Sequence, residues 1–75
     1  MKQLETILNM RLGHSVRCID KNKLAYIRIS REPYGFFLEY DYEHDYGTLH
    51  ETLKTNAEGV RQVFQDQGFG DLTFI

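Results

Sequence analysis

Residues 25–43 read Ala25-Tyr26-Ile27-Arg28-Ile29-Ser30-Arg31-Glu32-Pro33-Tyr34-Gly35-Phe36-Phe37-Leu38-Glu39-Tyr40-Asp41-Tyr42-Glu43, and their alternation decides the fold. Ala25, Ile27 and Ile29 alternate with Tyr26, Arg28 and Ser30, and Phe36, Leu38, Tyr40 and Tyr42 alternate with Phe37, Glu39, Asp41 and Glu43. A period of two over such lengths marks half-buried strands, because successive side chains point to opposite faces. Glu32-Pro33-Tyr34-Gly35 between them has turn chemistry, with proline second and glycine fourth. Centring that turn on Pro33-Tyr34 pairs Ile29 with Leu38, Ile27 with Tyr40 and Ala25 with Tyr42. On the opposite face Arg28 then meets Glu39, Tyr26 meets Asp41 and Ser30 meets Phe37.

Upstream, Val16 and Cys18 alternate with Arg17, and Asp20-Lys21-Asn22-Lys23 reads as the next turn. Centring it on Lys21-Asn22 pairs Cys18 with Ala25 and Val16 with Ile27. Both registers place the same apolar set on one face, and a slip of one residue would scramble it. Before the first strand, Leu4, Ile7, Leu8, Arg11 and Leu12 follow the stripe of an amphipathic helix over 2–12, with Gly13 as its stop. Downstream, the threonines of Thr48–Lys54 favour a strand although Leu49 and Leu53 are also spaced for a helix; the strand is the preferred reading. Thr55-x-x-Glu58 matches a capping box that opens a helix carrying Ala57, Val60, Val63 and Phe64, with Gly68 as its stop. Leu72–Ile75 reads as a short final strand. The expected architecture is a two-layer α+β sandwich over a single domain, residues 1–75. It has an antiparallel meander of three to five strands, in the order α-β-β-β-(β)-α-β, with both helices on the Val16/Ile27/Leu38/Tyr40 face.

The chain has 75 residues, nine Lys and Arg against eleven Asp and Glu, and a net charge of −2. A nucleic-acid binder normally carries a basic excess, so direct nucleic-acid binding is not expected. The single Cys18 cannot close an internal disulfide, which suits a reducing compartment. No apolar run approaches about 18 residues, so no membrane span is expected. Met1-Lys2-Gln3-Leu4-Glu5 lacks the apolar stretch of a secretory signal, and the expected location is cytoplasmic. Charge is unevenly laid out: residues 1–31 hold seven Lys and Arg with two acids, whereas residues 32–53 hold six acids and no Lys or Arg. The α-β-β-β-α order resembles the double-stranded-RNA-binding domain in element order alone. Asn56, Ala57 and Glu58 stand where that family opens its second helix with a lysine cluster, so its phosphate contacts have no counterpart here.

His14, Cys18, His44 and His50 include no C-x₂-C pair and no H-E-x-x-H spacing, and no metal site is expected. Cys18 on the core face reads as a small hydrophobe and not as a nucleophile. Glu39, Asp41, Glu43 and Asp45 share a strand face at intervals of about 6.5–7 Å, but acid–base chemistry needs a concave and partly dry pocket that an open sheet does not supply. Gly68-Phe69-Gly70 follows a helix and reads as a cap, not as a phosphate cradle. No catalytic residue and no cofactor is expected.

Tyr34–Tyr46 holds six of the ten aromatic residues and four acids. Alternation alone accounts for it as a core-facing aromatic row backed by a solvated acidic row. What shares the outer face, Phe37, Tyr26, Leu24 and Ile19 beside carboxylates, also has the make-up of an interface core with a charged rim. The leading expectation is therefore a non-enzymatic protein-binding module. It would dock through Ile19, Tyr26, Phe37, Glu39, Asp41, Glu43 and Asp45 on another protein with a basic surface. Small phage-encoded inhibitors of host defence, anti-CRISPR-like proteins among them, act in that way, and the parallel is one of size and charge. A homodimer covering the same face is the second expectation. A small ligand-binding or enzymatic domain using His44, His50 and the nearby acids is the third.

Overall fold

The computed structural model describes residues 2–44 and 46–75. In chain order they form α1 (Lys2–Leu8), β1 (Ser15–Asp20), β2 (Ala25–Glu32), β3 (Gly35–His44), β4 (Gly47–Thr55), α2 (Ala57–Gln67) and β5 (Leu72–Phe74). The strands make one antiparallel sheet ordered β4-β3-β2-β1-β5. Both helices cover one face, so the α+β sandwich expected from the alternation is the fold. Leu4 and Ile7 of α1 and Val60 and Phe64 of α2 are buried with Cys18, Ile27, Ile29, Leu38 and Tyr40 of the sheet. Arg61 of α2 also reaches Glu5 of α1 at 2.9 Å.

The β2–β3 register is the one the Pro33-Tyr34 turn implies, with Ile27 on Tyr40, Ile29 on Leu38 and Arg28 on Glu39. The β1–β2 register differs from the expectation by two residues. Cys18 pairs with Ile27 and not Ala25, Val16 pairs with Ile29 and not Ile27, and Asp20 pairs with Ala25. The reason is the Asp20 side chain, whose Oδ1 accepts from the backbone N–H of Asn22 (3.0 Å) and of Lys23 (3.1 Å). That closure widens the connection to residues 21–24, with Leu24 left-handed at φ 52. A shift of two keeps the parity, so every side chain stays on its expected face.

Two helix ends differ as well. α1 stops at Leu8 instead of residue 12, its last turn tightened by Met10 N–H on the Ile7 carbonyl. The chain is then drawn to the sheet, where Gly13 N–H donates to the Arg31 carbonyl at 2.9 Å and Leu12 is left exposed. The cap of α2 is Asn56, whose side chain accepts from Gly59 N–H, and Thr55 instead ends β4. Asparagine in extended conformation is as good a cap as threonine, and it lies one residue closer to the apolar run. The C-terminal stop is the expected Gly68, left-handed at φ 71. Phe69 N–H returns to the Phe64 carbonyl and the two rings meet edge to face at 5.6 Å, which satisfies the last turn and adds apolar contact.

Asp20 is the buried charge of this layout, 1% exposed on the helix side of the sheet. Its second oxygen accepts from the N–H groups of Gly70 (3.0 Å) and Asp71 (3.4 Å). One carboxylate thereby ties the β1–β2 turn to the loop that delivers β5.

Candidate functional site

The face away from the helices has no covering layer among the described residues, and the register orders it in rows. One row runs Thr73, Ile19, Tyr26, Asp41, His50 from β5 to β4; the next runs Arg17, Arg28, Glu39, Thr52. A third holds Ser15, Ser30, Phe37 and Lys54. The arginines therefore lie on β1 and β2, the acids on β3, and Lys54 and His50 on β4.

Glu39 is paired on one side by Arg28, Nη1 to Oε1 at 3.1 Å. His50 stands on the other side, directly opposite Asp41, and hydrogen-bonds its Oδ1 through Nδ1 while Nε2 lies 3.7 Å from Glu39 Oε2. The hydrogen bond to Asp41, with the field of Asp41, Glu39 and Glu51, raises the His50 pKa above its ordinary 6.5. Arg17 falls beside Arg28 and makes no ion pair among the described residues, so it does not neutralise the acids of β3.

At one end of the face Ile19, Tyr26 and the exposed Leu24 border a shallow depression of about 350 Å³, with Glu43 and Lys21 at its rim. Leu24 reaches this edge because the Asp20-closed turn sets it outward. Of the residues singled out from sequence, Ile19, Tyr26 and Glu43 line this depression, and Asp41 stands opposite Tyr26 beside it. Phe37 is on the same face but two rows from Asp41, with Arg28 and Glu39 between. Asp45 and the His44 side chain lie outside the described residues. Leu24, expected on this outer face, is there and forms its apolar lip; His50, set between Asp41 and Glu39, was not read as part of this surface. The signal for His50 was available, since a hairpin that pairs 44 with 47 sets it opposite Asp41.

Cys18 is fully buried on the other face, its thiol pushed up to about 11 by burial and by Asp20. At neutral pH it is a protonated core side chain and no nucleophile. Among the described residues no group of three or more His, Cys, Asp and Glu is placed to hold a metal ion, and no helix is long and apolar enough to cross a membrane. His50 and Asp41 lie on an open sheet with no wall to exclude water.

Fold and face together define a small α+β sandwich with one bare, charge-patterned sheet surface. No protein-family model, no curated protein and no solved structure matches the chain.

Proposed function

We propose that this protein is a non-enzymatic protein-binding module that docks its bare sheet face on a basic surface of another protein. The observation that carries the reading is the exposure of Leu24 and Tyr26 beside Ile19 in a depression bordered by Glu43 and neighboured by Asp41. Apolar anchors ringed by charge are how interfaces combine affinity with orientation. The acids supply the preference for a basic partner, since field complementarity governs encounter and partner choice. A groove built for nucleic acid is a partner surface of that kind, and the module then acts as an inhibitor by occupying it. A homodimer through the same face is the second reading. It is favoured by the placement of Arg17 on β1 and Glu43 on β3, neither of them ion-paired among the described residues, since a two-fold axis can set such opposite charges against each other.

The test is a Tyr26→Ala, Glu43→Lys double variant, since neither side chain is buried or ion-paired among the described residues. A partner captured by the wild-type chain, salt-sensitively and with the variant folded but inactive in capture, supports the first reading. Sedimentation as a dimer that the variant dissociates supports the second. A folded variant that retains its partner sinks both.

A further inference from the structure

β4 is an edge strand of nine residues, eight of them exposed, and it contains neither proline nor a bulge. Natural edges are usually short, charged or interrupted, because their unpaired backbone invites another strand. Which backbone groups are open follows from alternation. Arg31 directs its N–H and its carbonyl to the β1 side, to His14 and Gly13, so the even-numbered residues of β2 bond to β3. The odd-numbered residues of β3 take those bonds and the even-numbered ones bond to β4. On β4 the odd residues are thereby used, and Thr48, His50, Thr52 and Lys54 present N–H and C=O to the open edge.

The side chains along this edge specify what fits it. Leu49 and Leu53 share the helix-side face with Tyr42 and Leu38, yet they remain 39% and 38% exposed. Glu51 lies between them, with no ion pair or side-chain hydrogen bond among the described residues. A second copy of β4 is a poor occupant. The symmetric antiparallel register that matches Leu49 with Leu53 sets Glu51 against Glu51, and like charges directly opposite are destabilising. Moving the axis to Thr52 sets Leu53 against Glu51 and His50 against Lys54. Moving it to His50 sets Leu49 against Glu51.

We infer that the β4 edge is a strand-addition site for an extended segment of another protein, with an apolar-x-basic-x-apolar pattern on one side. The apolar residues lie opposite Leu49 and Leu53 and the Lys or Arg lies opposite Glu51. Backbone bonds to Thr48, His50, Thr52 and Lys54 supply the pairing, and the side-chain pattern supplies the choice of partner. This surface is distinct from the bare sheet face and does not depend on that reading.

The probe is an acetylated nine-residue peptide with valine third and seventh, lysine fifth and threonine elsewhere, followed by amide shifts of the full chain. Binding should perturb β4 amides, and a peptide with glutamate fifth should bind about tenfold more weakly, an attractive pair having become a repulsive one. Glu51→Lys should reverse that preference. Thr52→Pro removes one open-edge N–H without touching the bonds to β3, where proline is tolerated, and should abolish binding while the chain stays folded. Equal binding of the two peptides, binding retained by folded Thr52→Pro, or a wild-type dimer that Thr52→Pro dissociates would each overturn the inference. The double variant of the sheet face should bind the peptide unchanged, which separates the two surfaces.

Discussion

Replacing Asp20 with asparagine tests how the fold is fastened. The carboxylate accepts four backbone N–H groups, two from the β1–β2 turn and two from the loop before β5, at 3.0–3.4 Å. An asparagine has one oxygen, so whichever way the amide turns, two N–H groups lose their acceptor and face an NH₂ donor instead. Leaving a donor unsatisfied costs about 1–3 kcal/mol. The four donors belong to residues that are themselves exposed, so water recovers part of the loss and the low end of that range applies. Asp20→Asn should therefore cost about 2–3 kcal/mol, and Asp20→Ala, which loses all four bonds, about 3–5 kcal/mol. A chain of this length has a total of roughly 4–11 kcal/mol to lose, so the alanine variant should lose a large fraction of it. The protein has five tyrosines and no tryptophan, so urea unfolding is best followed by tyrosine fluorescence together with circular dichroism. A midpoint for Asp20→Asn that translates to within about 0.5 kcal/mol of wild type, the usual range of a surface change, would refute the tie.

Two further outcomes follow from named contacts. The His50 pKa is raised in the folded protein by its bond to Asp41. The associated stability is thus fully present below the unfolded value of about 6.5 and is lost as pH rises through the folded value. Melting temperature should fall as pH rises from the unfolded value of about 6.5 through the raised folded value, and His50→Gln should flatten that slope; equal slopes in both proteins would break the link. Gly59→Ala, which in an open helix gains about 1 kcal/mol, should instead destabilise. Its Cβ would lie 1.7 Å from Thr55 Oγ1 and 2.7 Å from Thr55 Cβ, and a raised urea midpoint for that variant would show that Thr55 yields freely.

The parts of the fold legible in the sequence are those set by parity. Face assignment for Ile27, Ile29, Leu38 and Tyr40 rests on alternation alone, and the Pro33-Tyr34 turn fixed their partners because its two-residue geometry leaves no slack. The β1–β2 register was not legible, because it depends on one side chain, Asp20, bonding to backbone two and three residues on. No hydrophobic pattern reports that bond. The end of α1 was hidden for a related reason: Arg11 and Leu12 continue the helical stripe, but Gly13 is claimed by Arg31 across the sheet. In the candidate site Tyr26, Asp41, Glu43 and Ile19 were readable from the same parity. The distance of Phe37 from them was implicit in the β2–β3 register. Leu24 was readable on the outer face, but the left-handed backbone that sets it there was not, since it belongs to a residue that is not glycine.

The pairing of β5 with β1 also sets an order of events in folding. β1, β2, β3 and β4 follow one another through connections of two to four residues, whereas the bond from Gly70 to Asp20 closes a loop of 50 residues. The entropy of closing a flexible loop grows as its logarithm, so that closure costs about 2 kcal/mol more than a four-residue turn. The meander should therefore form first from local contacts, with β5 docking after α2 has laid its apolar face on the sheet and brought the two ends of the long loop near one another. Interactions made by β5 and its loop should then be absent from the rate-limiting barrier. They act as a latch, governing how fast the finished protein comes apart and hardly at all how fast it forms.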